Sequence, residues 1–302
     1  MKKNILVTGA SSFVAKNLIK NFNKKNYLLT LSDIKTDHKS KNFIISDLNK
    51  LKINHIKSKK VDHIIHLGAV STAQNFANNI KKSYETNILS ILNILEIAKA
   101  KKSKTIIFAS SEWVYGQKTN RSQKENDIVD VETLGSSYAL SKRVGEDFLK
   151  YYCTLYNIKL IILRFGIIYG NKDVNLCAVE SIFKSLKDNN NEITVGSLKS
   201  SRRFIHVSDI CAAIFKSLKL ETNQVLNISG DEIISMKDII EISSQILKIK
   251  PNIIEQDKNN ISVRNPSNSK AKKILGWKPK MTLKKGLISF NKYLDEKSYK
   301  KK

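Results

Sequence analysis

The sequence predicts an α/β chain: a doubly wound parallel sheet, with a smaller α/β domain interleaved toward the C-terminus. Three observations carry that prediction. Apolar runs alternate with helical patterns through the first two-thirds of the 302 residues, and such alternation calls for parallel strands joined by crossover helices. The first run, in "NILVTGASSFVAKNL", ends at Thr8-Gly9 and passes directly into a helical pattern, which is the layout of a dinucleotide-binding turn. No proline precedes Pro251, so long elements run uninterrupted.

The runs "NILVTG", "YLLTLSD", "NFIISD", "VDHIIHLGAV", "KTIIFASS" and "LIILRFGIIYG" read as strands, because short continuous apolar stretches suit a sheet covered on both faces. Between them, "VAKNLIKNFNKK", "TNILSILNILEIAKAKK" and "SSYALSKRVGEDFLKYY" read as helices. After Gly170 the rhythm changes. "LCAVESIFKSLKD" is a helix, "EITVGS" a short strand, "RRFIHVSDICAAIFKSL" a strand entering a helix, and "VLNISG" a further strand. "SMKDIIEISSQILK" starts with Ser235 as N-cap and Asp238 in the capping-box position. A last small helix stops near Gly276, and the tail "KSYKKK" is expected to be frayed. Residues 1–170, with 204–229 returning, are expected to form the larger domain; 171–203 and 230–302 form the smaller one.

Hydrophobic residues make up 41% and aromatics 8%, enough for a core and against global disorder. The formal charge is +26. Its lysines recur along nearly the whole chain and no aromatic–basic motif accompanies them, so they read as solvated helix faces rather than a nucleic-acid surface. The positive field still attracts phosphorylated substrates. Cys153, Cys177 and Cys211 have no CxxC spacing; no disulfide framework or metal site is expected, and the cytoplasm fits. Ile5-Leu6-Val7 is too short for a signal-peptide core, and no apolar run is long enough to span a membrane.

In a dinucleotide fold, the first glycine makes the tight turn and the second lets backbone approach the pyrophosphate. Gly9 keeps the first role and Ala15 tolerably fills the third position. Ser12 replaces the second glycine, and either crowds the pyrophosphate or donates its hydroxyl to it. The helix beginning near Phe13 offers oriented N–H groups to an anion. Asp33 ends the second strand; it is either a ribose ligand that repels a 2′-phosphate or a turn residue. Asp47 has the same two readings, with the adenine edge as its target.

Tyr138 and Lys142 are four apart on a helix, hence on one face. A nearby ammonium is expected to bring the phenol toward neutrality, a pairing suited to acid–base work on a carbinol or carbonyl. Tyr and Lys at this spacing also arise often without function. Ser111, at a strand's carboxyl end, either bonds the reacting oxygen or makes a turn.

"TGASSFVAKNL", "HLGAV", "TNILSILNILEIA", "SSEWVYG", "YALSK", "RFGIIYG", "RRFIHVSDICAA" and "KILGWKP" occur in the order seen in extended short-chain dehydrogenases/reductases. The chain resembles, more narrowly, the NAD-dependent nucleotide-sugar epimerase/dehydratase family, from Lys3 to about Leu287. The resemblance implies a Rossmann-type sheet and a C-terminal substrate domain. It implies Tyr138 as catalytic base, Lys142 as its helper and ribose ligand, and Ser111 as third member. NAD would be lined by Gly9, Ser12, Phe13, Val14, Asp33, Asp47, Leu48, Leu67, Gly68, Ala69 and Asn87. Arg202 would bind the substrate diphosphate, and Glu112 would orient the sugar or serve as a loop charge. Ile167, Arg203 and Asn171 depart from the family's usual asparagine, aspartate and proline. The family's dehydratases carry an acidic pair after the serine; here the pair reads Glu112-Trp113. Trp113 would pack under the sugar or in the core. The implied activity is a nucleotide-sugar epimerase of the 4-epimerase type, working as a homodimer. The alternatives are a dehydratase or keto-sugar reductase of the same family, or a non-catalytic binding module.

Overall fold

The computed structural model describes residues 2–36, 40–116, 121–188 and 192–299. Its first half runs β1 (Lys3–Thr8), α1 (Phe13–Ile19), β2 (Tyr27–Asp33), β3 (Phe43–Ile45), β4 (His63–His66), α2 (Ala73–Asn78), α3 (Ile80–Tyr84), α4 (Ser90–Ala100), β5 (Thr105–Ser111), α5 (Ser137–Leu155) and β6 (Lys159–Phe165). Then follow β7 (Ile168–Tyr169), α6 (Ala178–Asp188), β8 (Glu192–Val195), β9 (Ser201–Arg202), β10 (Ile205–His206), α7 (Val207–Ser217), β11 (Gln224–Ile228), β12 (Ile234–Ser235), α8 (Met236–Leu247), β13 (Asn252–Glu255), β14 (Val263–Arg264), α9 (Ser269–Leu275) and α10 (Leu283–Tyr299). Two compact units result: Met1–Gly116, Glu125–Arg164 and Cys211–Leu226 make the first, and Gln117–Lys124, Phe165–Ile210 and Asn227–Lys302 the second.

The first unit is built on a seven-stranded sheet in the order β11-β6-β5-β4-β1-β2-β3. The pairs β1–β2, β1–β4, β2–β3 and β4–β5 are parallel. Strand residues alternate between faces. One face sends Leu6, Ile64, Ile106, Phe108 and Ile162 into a core with Ile91, Ile94 and Leu95 of α4 and Leu149 and Cys153 of α5. On the same unit, Phe22, just past α1, and Phe215 of α7 stack at 4.4 Å between ring centroids.

Four boundaries differ from the sequence reading. The helix expected over "VAKNLIKNFNKK" stops at Ile19. Asparagine side chains compete for the backbone there: Asn21 Nδ2 donates to Asn17 O at 3.0 Å, and Asn23 Oδ1 takes the Lys25 N–H at 2.8 Å, the local competition that ends helices. The helix over "TNILSILNILEIAKAKK" begins with a π turn, Glu85–Leu89, and closes at Ala100. "LIILRFGIIYG" is not one strand. It breaks at Gly166, whose N–H bonds Ile228 O at 3.0 Å, and Ile168–Tyr169 pairs instead with Ile205–His206. The expected fraying does not begin at Lys297: α10 continues to Tyr299, with Lys297 bound to Asp173, while 300–302 lie outside the described residues.

The second unit has its own core, where Val179 and Phe183 of α6 meet Ile239 and Ile240 of α8 and Leu287 and Phe290 of α10. The capping box forms as read: Asp238 N–H donates to Ser235 Oγ at 3.1 Å, and Ser235 N–H to Asp238 Oδ2 at 2.7 Å. Asp209 accepts from Lys280 N–H and Met281 N–H, both at 3.0 Å, while its carbonyl takes the Trp277 indole N–H at 3.0 Å. Among the described residues no helix is long and apolar enough to cross a membrane, and no His/Cys/Asp/Glu group is placed to hold a metal.

Sheet order reverses between β1 and β4, and there the two strand ends meet backbone to backbone. Gly9 has φ of 66°, and a Cβ on it would lie 2.5 Å from Gly68 N. Both the torsion and the space therefore demand glycine. The variant Gly9→Ala is expected to lose on the order of 2 kcal/mol of stability. Scanning calorimetry should show Tm lower by roughly 4–8 °C; an unchanged Tm would mean the two loops separate at little cost.

Candidate functional site

In open α/β sheets, ligands bind beyond the carboxyl ends of the strands, where strand order reverses. Gly9 and Gly68 stand at that point. Leu67 N–H bonds Thr8 O at 3.2 Å, and Leu48 Cδ1 would lie 2.7 Å from a Cβ on Gly68. Ala69 follows in the same loop. Ser12 caps α1: its Oγ accepts the Ala15 N–H at 3.3 Å. As an acceptor there, the hydroxyl keeps its own proton for another partner. Phe13 and Val14 form the first turn of α1, half-buried.

Asp33 turns back onto this loop. Its Oδ2 accepts from Ser11 N–H at 2.9 Å and Oδ1 from Ile34 N–H at 2.7 Å. The carboxylate is thus held by backbone N–H groups at the end of β2, which is the turn reading. Asp47 caps the short turn Leu48–Lys50, accepting from Asn49 N–H at 3.0 Å, and pairs with Lys82 at 2.9 Å. Burial pushes its carboxyl up, but the hydrogen bonds from Lys82 and Asn49 and the charge of Lys82 together outweigh it, and the net shift is downward.

Ser111, Tyr138 and Lys142 come together. Ser111 closes β5, and its Oγ accepts the Trp113 N–H at 3.3 Å. Tyr138 and Lys142 lie on the buried face of α5. The Ser111 hydroxyl lies close enough to the Tyr138 phenol to favour its ionised form. Lys142 Nζ donates to Ala109 O at 2.8 Å and sits 4.9 Å from the Phe108 ring centroid. Close packing needs Gly145, where a Cβ would lie 2.8 Å from Ile91 Cδ1 and 3.2 Å from Phe108 Cζ.

The electrostatics correct one expectation. The phenol of Tyr138 is not brought toward neutrality; burial pushes it up to about 12, and the Ser111 hydrogen bond pulls the other way. Lys142 is pulled down to about 8 by burial, opposed by the charge of Glu146. Desolvation wins because both groups lie under the helix, away from water.

Asn87 sits in the π turn that opens the α4 segment. Its amide oxygen accepts Val70 N–H at 2.8 Å, and its nitrogen donates to Val70 O and to Ser141 Oγ, both at 3.0 Å. Ser141 in turn donates to Tyr138 O at 2.8 Å. Asn87 therefore ties the loop after β4 to the helix carrying Tyr138. Glu112 is buried and Trp113 half-buried in the turn that follows Ser111.

Arg202 belongs to the second unit. Its guanidinium donates to Ser201 O at 2.8 Å, to Ser262 Oγ at 3.0 Å and to Ser262 O. Arg203 bonds Asn265 Oδ1 at 2.5 Å and the carbonyls of Gly230 and Asp231, a task an aspartate there could not perform. Ile167 packs on that unit's core.

The sequence reading did not single out His66, Ser110, Glu146 or Arg164. His66 Nδ1 lies 2.7 Å from Thr8 Oγ1, and burial, helped by the charge of Lys142, holds the ring neutral with a pKa of about 3. Glu146 could have been found from its spacing, one helical turn past Lys142. His66 carried a weaker signal, a polar residue inside an apolar run.

Residues 5–229 match the profile of the family described as the NAD dependent epimerase/dehydratase family. Among curated proteins, the chain is 29% identical over 296 residues to one from Methanocaldococcus jannaschii named "Putative UDP-glucose 4-epimerase", covering 94% of this chain and 95% of that one. It is 28% identical to UDP-glucuronic acid decarboxylase 6 of Arabidopsis thaliana, over 94% of this chain and 86% of that one. Its fold is similar to that of UDP-glucuronic acid 4-epimerase from Bacillus cereus, solved with UDP-glucuronic acid and NAD, at a TM-score of 0.83 and 23% identity over 97% and 99% of the two chains. With that match spanning the sheet, the glycine turn and the Ser111–Tyr138–Lys142 cluster, the chain belongs to the NAD dependent epimerase/dehydratase family.

Proposed function

We propose that this protein is an NAD-dependent nucleotide-sugar epimerase of the 4-epimerase type. The observation that carries the reading is the convergence of Ser111, Tyr138 and Lys142 from β5 and α5. The kinship with proteins named for UDP-glucose and UDP-glucuronic acid supports a nucleotide sugar as substrate. The residues suit a dinucleotide. Gly9 and Gly68 leave bare backbone where a Cβ would clash. Asp33 offers a carboxylate at the end of β2. Lys142 is a buried ammonium with one hydrogen-bond partner among the described residues, Ala109 O, which leaves two N–H groups for a ribose diol. In this reading Ser12, Phe13 and Val14 face the pyrophosphate, Asp47 and Leu48 the adenine side, and Leu67, Gly68, Ala69 and Asn87 shape the nicotinamide side.

Bound NAD supplies the hydride acceptor, the returning hydride and a positive charge. The protein handles the proton. Tyr138 removes it from the sugar carbinol as the carbon is oxidised, with Ser111 sharing the developing charge. When the keto-sugar is reduced on its other face, the Tyr138 phenol returns the proton. High proton affinity at Tyr138 favours this second half, and the charges of Lys142 and the cofactor favour the first. Arg202 is the candidate for the diphosphate, and Glu112 for orienting the sugar. One carboxylate after Ser111 instead of two favours epimerisation over dehydration.

We infer that a second copy of this chain covers α4 and α5. Leu89, Tyr151 and Leu155 are 53%, 66% and 62% exposed, and Tyr151 and Leu155 are one helical turn apart. The free thiols of Cys153, Cys177 and Cys211 suit a cytoplasmic location.

Incubation with UDP-, GDP-, CDP- and dTDP-sugars should reveal interconverted epimers without bulk NADH accumulation; net cofactor consumption would replace the epimerase with a reductase. Tyr138→Phe should lower kcat at least 1,000-fold, on the order of the loss when an acid–base group is removed, while NAD stays bound. Full activity in that variant would remove Tyr138 from the mechanism. Asp33→Ala should raise the affinity for NADP relative to NAD by roughly tenfold; an unchanged ratio by calorimetry would leave Asp33 a turn residue only. The double variant Tyr151→Asp/Leu155→Asp should run as a monomer in light scattering where the parent runs as a dimer. A parent that is monomeric at micromolar concentration would refute the pairing.

A further inference from the structure

Two hydrogen bonds fasten α5 to consecutive residues of β5, and Tyr138 lies beside the next, Ser111. Lys142 Nζ donates to Ala109 O. At the next residue, Ser110 Oγ donates to Glu146 Oε1 at 2.6 Å. Glu146 is fully buried and stands one turn beyond Lys142 on the same face. Its carboxylate is gripped from β6: Arg164 Nε donates to Oε1 at 2.9 Å and Nη2 to Oε2 at 2.7 Å. The remaining guanidinium nitrogen donates to Tyr115 Oη at 2.9 Å and Glu125 O at 3.0 Å. The segment carrying Ser111 is thus held on both sides, at Ser110 and at Tyr115, by the ion pair that also holds α5.

We propose that Glu146 is a positioning residue, which with Arg164 sets the spacing between Ser111 on β5 and the Tyr138–Lys142 face of α5, and sustains the charge of Lys142. The inference rests on the catalytic roles assigned above. The geometry favours it over a plain structural staple. A bidentate pair fixes orientation as well as distance, and the Ser110 arm of the network ends next to Ser111. The electrostatics agree in sign, since the carboxylate of Glu146 favours the ammonium of Lys142. The other groups around Lys142 are the neutral ring of His66 from β4, the Tyr138 phenol from α5 and the Phe108 face from β5. Lys150 Nζ approaches Glu146 from the outer side at 3.7 Å.

The two partners should act on Lys142 in opposite directions. Glu146→Gln leaves the Arg164 cation without its counter-charge, and Arg164→Met takes a cation away from Lys142 while leaving the Glu146 carboxylate to Lys150 at 3.7 Å. The titration of Lys142 can be followed by NMR of 13Cε-lysine, its resonance identified by loss in Lys142→Arg. The midpoint should fall by about one pH unit in Glu146→Gln and rise in Arg164→Met. In both folded variants kcat should drop about 10–100-fold with KM changed less than threefold, as expected when reacting groups are displaced by a fraction of an ångström to 1 Å. Glu146→Asp should keep the Lys142 midpoint yet lose kcat. Should the single variants fail to fold, Glu146→Gln/Arg164→Met removes both charges and tests the kcat effect alone. Midpoints that move together or not at all, or a kcat within threefold of the parent in the folded variants, would overturn the proposal. A parent that turns over no nucleotide sugar would sink the epimerase reading, while the NMR midpoints would still test the pair.

Discussion

Helix α5 must lie flat on β5 while carrying an ammonium and a carboxylate into the seam. Each ion taken from water costs several kcal/mol unless it is paired or hydrogen-bonded. The carboxylate of Glu146 is met by the bidentate guanidinium of Arg164 and by Ser110. Among the described residues, Lys142 has the Ala109 carbonyl as its hydrogen-bond partner and the face of Phe108 beside it, and burial, opposed by the charge of Glu146, lowers its pKa to about 8. The seam therefore holds one satisfied charge pair and one under-satisfied cation. A buried cation in that state adds little to stability, which accords with the role proposed for it.

The remainder of the site follows from that seam. Gly145 lets α5 approach, and Asn87 bridges Ser141 of α5 to Val70 beyond β4. The π turn around Asn87 has the same logic: an extra residue in the helix turns one side chain inward, as such bulges often do at functional sites. Beyond β4 lies Gly68, against which Gly9 is pressed. The Gly9–Gly68 contact and the Ser111–Tyr138–Lys142 cluster are thus joined through hydrogen bonds of secondary structure and a few buried side chains, all within one compact unit.

The second unit answers a different question, why "HVSDICAA" and "GWKP" occur together. Asp209 in the first motif accepts two backbone N–H groups after the second, and its carbonyl takes the Trp277 indole. Those residues pin the chain on either side of a turn. Arg203 likewise has local work, bonding Asn265 and two carbonyls, so its departure from the family's aspartate has a packing rationale.

By itself the sequence determined the alternation of strands and helices, the turn at Gly9, the capping box at Ser235 and Asp238, and the shared face of Tyr138 and Lys142. These are local: each depends on periodicity or on residues a few positions apart. Only the tertiary structure decided the break at Gly166, the π turn at Asn87, the Glu146–Arg164 pair and the pKa shifts of Tyr138 and Lys142. A strand ends where its distant neighbours stop, a buried charge acquires its partner from another strand, and desolvation depends on what the fold lays over a side chain. Tyr138 shows the difference most plainly. Its spacing to Lys142 was legible in "YALSK", but the pKa of about 12 comes from burial beneath a helix, which no stretch of residues states.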